Sequence, residues 1–329
     1  MNTIGIFTSC RFMKKRLLIL MFVIIAQSSF GQQFTDLYGD YLGQTPPGET
    51  PVVFARGIVS TELQNHGFPS FTPDGNQVFW QANRRPRNEN EKWFAQSMTM
   101  QRIGDRWTTP EVSSYGHTPI VSPDGKRLYF GSTGEGDDPY FYEKQGDTWS
   151  EGKSIRIISR FPELKYIYNL SVTRNGTLYF IGHSEGLGTR NSYGVFRMEL
   201  IDGEYTKPEL LPSSINMPDN TLNWTPFVAP DESYLVFSSN RSGSLDEYGD
   251  LYVCFRNTDR SWSEAISLGE TINTCQQERF PAVSPDGKYL FFTRWTPDYD
   301  EDVFWVSSKV IDEIKKELYN SKDHNNEKF

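Results

Sequence analysis

The sequence predicts an all-β fold: a five-bladed β-propeller of four-stranded blades, closed by an N-terminal strand and followed by a short C-terminal helix. Three observations carry that prediction. One turn motif recurs five times at a near-constant interval. Each copy lies between two strand-like runs. Each of the first four copies is then followed by a third run and an aromatic turn. Four strands repeated about every 50 residues make one propeller blade per repeat.

The motif reads Pro69-Ser-Phe-Thr-Pro-Asp-Gly75, then Pro119-Ile-Val-Ser-Pro-Asp-Gly125, then Pro281-Ala-Val-Ser-Pro-Asp-Gly287. Pro226-Phe-Val-Ala-Pro-Asp-Glu232 is a decayed copy, and Leu170-Ser-Val-Thr-Arg-Asn-Gly176 a weaker one. The starts are spaced by 50, 51, 56 and 55 residues. Pro presets φ in the turn, Asp bonds back to nearby backbone and Gly closes it. The run after each turn alternates, as in Lys126–Phe130 and Lys288–Phe292, so each copy opens with a hairpin.

Third strands are expected at Ser97–Met100, Tyr140–Tyr142, Gly194–Arg197, Asp250–Val253 and Asp302–Trp305. Second turns then lead to Trp107, Trp149, Tyr205 and Trp262, which repeat in register and read as blade-packing residues. The fifth copy lacks this turn and runs into Lys309–Leu318, an amphipathic helix. The spare strand Val52–Ser60 supplies the missing fourth strand and closes the ring, removing an exposed edge. The propeller is therefore placed at 51–308, with a helix and polar tail at 309–329. The alternative is six blades of about 43 residues, or a cryptic sixth, against which the spacings stand.

Before the propeller come a leader and an extended segment, 32–50. Lys14, Lys15 and Arg16 precede the apolar run Leu17–Ala26, and Ser29-Phe30-Gly31 ends it with small residues. That is a secretory signal peptide over 1–31, too short for a comfortable membrane span; the alternative is an uncleaved anchor. Removing its four bases leaves 29 bases against 42 acids, a net charge of −13. An acidic chain without a basic aromatic stripe argues against nucleic acid as a partner. Cys254 and Cys275 remain, too few for a disulfide scaffold, with their pairing open.

The Pro-Asp-Gly copies resemble the TolB-like, WD-type propeller repeat of exported bacterial proteins, over nearly the whole mature chain. The resemblance implies a periplasmic or secreted propeller. It is specific for fold and not for function, because that family includes scaffolding, binding and enzymatic proteins. TolB itself carries an additional N-terminal α/β domain, for which the segment before the first strand leaves no room. The resemblance also implies that the loops entering each first strand, and those between second and third strands, gather at one mouth of the channel.

On that geometry the candidate ligand-binding residues are His66, His117, Tyr168, Trp224, Arg241, Glu278, Arg279 and Arg294. The leading expectation is a non-catalytic binding propeller, monomeric and without cofactor, holding a protein partner of the cell envelope or a glycan there. The alternative is a lyase or hydrolase of acidic sugars. In it His66, His117 and His183 supply acid–base chemistry, and Arg241, Arg279 and Arg294 hold a uronate. A third reading is a structural module of an envelope complex that uses the blade sides. Metal binding by the histidines, or Ca²⁺ in the blade-five loop with Asp298, Asp300, Glu301 and Asp302, lacks ligand spacing. Gly182-His-Ser-Glu-Gly186 matches a nucleophile elbow but is followed by no helix and reads as chance.

Overall fold

The computed structural model describes residues 36–65, 67–84, 94–117, 119–187, 189, 192–218, 221–245, 249–295 and 301–326. The leader, His66, Asp298 and Asp300 lie outside the described residues.

Five antiparallel sheets form the five blades. The first strands are 70–71, 120–121, 167–172, 223–228 and 278–283, and each pairs with the strand after its turn motif. The third strands are 94–103, 140–145, 193–198, 250–255 and 301–307, which contain all five expected segments. Fourth strands are two residues long: 111–112, 153–154, 209–210 and 266–267. Blade five takes its fourth strand from the N-terminus, with Val52 opposite Trp305 and Val53 opposite Phe304. Phe54 N–H extends that pairing to Val303 O at 2.8 Å. The expected closing strand is thus real but short. Beyond Phe54 the chain turns inward, burying Ala55 and Val59.

The motif turns explain their own sequence. Ser122 Oγ donates to Asp124 at 2.6 Å, Asp124 accepts Lys126 N–H at 3.0 Å, and Arg127 N–H returns to Ser122 Oγ at 2.9 Å. Blade one repeats this with Thr72, Asp74, Asn76 and Gln77, and blade five with Ser284, Asp286, Lys288 and Tyr289. These bonds hold the three Asp carboxyls below their ordinary value against the opposing effect of partial burial. Gly75, Gly125 and Gly287 have φ of 68°, 69° and 76°, where a Cβ is strained. Blade four places Glu232 there instead, at φ 59°, and uses its carboxylate between blades. Glu232 Oε1 accepts from Tyr179 Oη at 2.6 Å and from Arg197 Nε at 3.1 Å.

The core is a set of five apolar layers between neighbouring blades. Trp107, Trp149, Tyr205 and Trp262 each lie in one of them, as the register predicts. The layer at the closing seam also receives the N-terminal segment. Leu42 there is fully buried, and Tyr41 packs edge-on against Phe71 and Tyr289 and donates to Asp286 at 2.7 Å. The segment at 37–43 is therefore a strap across the seam. The helix α1, Lys309–Asn326, packs Val310, Ile311, Ile314 and Leu318 onto the layer between blades four and five. Among the described residues no helix is long and apolar enough to cross a membrane.

Candidate functional site

The first strands meet around the axis, and two cavities open on it from opposite ends. One, of about 420 Å³, lies at the end carrying the motif turns and is lined by their Pro residues, Asp231 and Asp286, together with Ile311 and Asp312 of α1. The other, of about 630 Å³, lies at the end where the sequence places the candidate residues.

The larger cavity has aromatic walls. Phe130, Tyr140, Tyr168, Tyr193, Trp224 and Phe280 line it. Phe130 and Tyr140 stack at 5.0 Å with 10° between planes. Tyr168 stacks on Tyr166 at 5.4 Å. Burial and the neighbouring Tyr193 raise the Tyr168 phenol well above its ordinary value, so it stays a neutral hydrogen-bonding group. Trp224 Nε1 is buried with no hydrogen-bond partner among the described residues. The remaining polar lining includes His117, Ser132, Thr133, Asn169, Thr225 and Arg279; no carboxylate lines the cavity among the described residues.

Three of these walls rest on strained backbone. The pairing of first to second strand slips between Tyr168 and Ser171, between Trp224 and Phe227, and between Arg279 and Ala282. Within each slip one residue is left-handed: Asn169 at φ 48°, Thr225 at 50° and Phe280 at 51°. Asn tolerates this region; Thr and Phe do not, and each such residue costs on the order of 1–2 kcal/mol. Bulges of this kind re-aim side chains, and stored strain of this kind collects at functional sites. The strained strands are tied across blades, Phe280 N–H donating to Thr225 Oγ1 at 3.3 Å.

The candidate residues divide between cavity and scaffold. His117, Tyr168, Trp224 and Arg279 line the cavity. His117 is exposed at its rim, and Gln81 Nε2 lies 3.3 Å from His117 Nδ1. An amide nitrogen only donates, so Nδ1 is the acceptor and a neutral ring carries its proton on Nε2. Arg279 is forked onto Glu301, at 2.6 and 2.7 Å, and Glu301 is 1% exposed. Its positive charge is therefore matched within the protein.

Arg241, Glu278 and Arg294 do not line the cavity. Arg241 is buried; it donates to Ser214 O and Ile215 O at 2.9 Å and lies over the rings of Phe237 and Tyr252. Burial pulls its guanidinium below its ordinary value. It fixes the loop between blades three and four. Arg294 Nε donates to Glu278 Oε1 at 2.7 Å and its Nη2 to Ile272 O at 2.6 Å. Glu278 also accepts from Thr274 Oγ1 at 2.6 Å. Burial pushes Glu278 up to about 7 against the pull of Thr274 and Arg294. His183 ends a second strand opposite Tyr193, edge-on to that ring at 5.2 Å; its Nδ1 is buried without a partner among the described residues. His117 lines the cavity and His183 does not, while His66 lies outside the described residues; among the described residues no group of three metal-ligating side chains occurs. In the blade-five loop Glu301 and Asp302 begin a strand opposite Trp295 and Arg294. Cys254 is a buried free thiol, pushed up to about 12 by burial, and Cys275 a free exposed one.

Tyr140, Tyr193, Asn169, Thr225 and Phe280 were not among the candidates. Tyr140 and Tyr193 stand at the same place, the first residue of a third strand, and that shared position is a signal the repeat alignment carries. The left-handed bulges carry none, because Thr and Phe are poor residues for that conformation.

No family model matches the chain, and no curated protein matches it. Several solved structures are distantly similar to it. A thermostable family-43 glycoside hydrolase is 13% identical, with 75% of this chain and 90% of that one covered and a TM-score of 0.47. A second glycoside hydrolase is 10% identical over 82% and 93%, with a TM-score of 0.49. The Trypanosoma rangeli sialidase, solved with sialic acid, is 11% identical over 89% of this chain and 61% of its own, with a TM-score of 0.40. Likeness at this level is likeness of fold alone.

Proposed function

We propose that the protein is an exported propeller whose mouth cavity binds a carbohydrate. One observation carries this reading: a cavity of about 630 Å³ walled by Tyr140, Tyr168, Tyr193 and Trp224. That volume suits a small ligand, and small-ligand sites are concave, largely apolar and furnished with a few convergent polar groups. Flat aromatic faces take the apolar face of a sugar ring, and the phenol edges supply hydrogen bonds. His117 Nε2–H, Asn169 and Thr225 add donors and acceptors. With Arg279 matched by Glu301 and no carboxylate among the described lining residues, the site suits a neutral sugar unit. Titration calorimetry against a panel of neutral and acidic oligosaccharides tests this. Trp224→Ala should weaken binding about tenfold or more, roughly 1.4 kcal/mol, with the protein still folded. Equal affinity in the variant removes the site from the cavity.

A second reading, turnover of the bound glycan, is favoured by His117, an exposed imidazole at the rim whose Nδ1 faces the Gln81 amide nitrogen. Hydrolysis by paired carboxylates needs two acids flanking the bond, and the described cavity lining supplies neither, so acid–base work would fall to His117. Product analysis separates the two readings. Turnover lost in His117→Ala with binding kept supports the second; no product from the wild type rules it out.

The same proposal has residues 1–31 removed on export to the periplasm or beyond, leaving a monomer without cofactor. N-terminal sequencing of the mature protein after Gly31, or at Met1, decides the first point.

A further inference from the structure

We propose that the outer edge of blade four, where it faces blade three, docks an extended acidic segment of a partner protein. The chain's own strap displays the binding mode at the matching edge of blade one. There Trp107 N–H donates to Leu37 O at 2.9 Å, and Gly39 N–H donates to Asp105 O at 3.0 Å. Trp107 Nε1 donates to Gly39 O at 2.8 Å. Arg102 stands opposite Trp107 in register, lies over its ring at 6.0 Å and binds Asp40 Oδ1 at 2.7 Å. The strap thus adds an extended segment to a sheet edge, with an indole reading one carbonyl and an arginine reading the next side chain.

Blade four repeats the receptor without the guest. Arg256 stands opposite Trp262 in register and lies over its ring at 4.7 Å. Its guanidinium makes no hydrogen bond or ion pair among the described residues, whereas Arg102 has Asp40. Trp262 is 8% exposed, and its Nε1 is buried with no hydrogen-bond partner among the described residues. A buried donor left unpaired is costly and rare, so its filling by a carbonyl is favourable. Ser263 N–H and Asn257 N–H take the inward ladder positions, to Phe255 O and Ser261 O, so the Trp262 N–H points outward as that of Trp107 does. A cavity of about 600 Å³ opens beside these groups, with Glu209–Pro212 of blade three as its far wall. The strap occupies the corresponding groove between blades one and five.

Charge selects the guest. Of the three arginines lining the groove, Arg197 and Arg260 are matched by Glu199, at 2.5 and 3.4 Å. Arg256 forms no ion pair among the described residues, although Glu199 and Asp259 are near enough to act on it electrostatically and Glu209 and Glu264 also line the groove. A carboxylate one residue beyond the carbonyl that meets Trp262 Nε1 answers Arg256 as Asp40 answers Arg102. In the empty site the guanidinium lies closer over the indole than in the filled one, so docking draws it off the ring. The strap of the same chain is already engaged at blade one, and so is that of a second copy, which leaves a partner's segment as the occupant. The turn before Trp262 is one residue longer than that before Trp107, so the inference rests on the indole, its backbone N–H and the arginine.

The test is a fluorescent heptapeptide copying residues 35–41, Thr-Asp-Leu-Tyr-Gly-Asp-Tyr, titrated by anisotropy with the full mature chain. Saturable binding is expected, weakened about tenfold by Arg256→Gln, by Trp262→Phe and by Asn in place of the peptide's second Asp, and unchanged by Arg102→Gln. Arg256→Gln carries the test alone if Trp262→Phe lowers the melting temperature. No saturable binding overturns the proposal. So does binding lost in Arg102→Gln but kept in Arg256→Gln, which is exchange with the strap.

Discussion

Two buried acid–base pairs stand behind the channel mouth, and they respond to pH and mutation differently. Glu278 is fully buried, and its carboxyl is raised from 4.5 to about 7. A raised carboxyl holds its proton better in the folded state than in the unfolded one. Its stabilising contribution is therefore complete below about pH 4.5 and lost as pH rises through about 7. At about 1.4 kcal/mol per unit, the loss is about 3 kcal/mol. Urea unfolding across this window should show wild type losing that much relative to Glu278→Gln; parallel profiles would refute the assignment. Glu301 is the other member, and Glu301→Gln leaves Arg279 buried without its fork. The expected cost is about 3–5 kcal/mol, read as a lowered midpoint. At this level the sequence was only partly legible. Arg241, Glu278 and Arg294 are polar residues toward the mouth end of the blades, as a ligand site requires, but each is consumed by the scaffold. Nothing in residue type distinguishes a guanidinium aimed at a ligand from one bound to Ser214 O and Ile215 O.

Among the elements, the strap at 37–43 is where pattern reading falls shortest. The sequence reads it as part of an extended segment, yet Tyr41 and Leu42 adopt φ of 50° and 59° and enter the seam core. Long-range packing decides that conformation, and packing between distant segments leaves no local periodicity. Leu42→Ala should cost about 2–5 kcal/mol by opening a cavity at the seam, and Tyr41→Phe about 1 kcal/mol by deleting the bond to Asp286. Chemical denaturation reads both, and a neutral Leu42→Ala would show that the strap is not part of the folded core. The motif turns are the opposite case. Their Ser or Thr, Asp and Gly each make a bond or adopt a φ that the residue type announces, so the hairpins were readable to the residue. Blade four departs from the pattern at Glu232, whose carboxylate ties blade three to blade four through Arg197.

The whole molecule was the most legible level, because five copies of one unit restate the same information. Spacing set the blade number, and the missing aromatic turn in the fifth copy showed that its fourth strand had to come from elsewhere. Val52 and Val53 supply it, joining the two ends of the chain in one sheet. The mouth cavity follows from that closure, since blades two to five all contribute to its wall. The repeat says where loops gather; it does not say that three first strands bulge through left-handed residues to shape the wall. The most direct measurement is calorimetric titration of an oligosaccharide panel into the wild-type protein and the Trp224→Ala variant. Saturable binding of a neutral oligosaccharide by the wild type, weakened about tenfold in the variant, is the predicted result. An absence of binding by any sugar, or equal binding by both proteins, would contradict a carbohydrate site at the channel mouth.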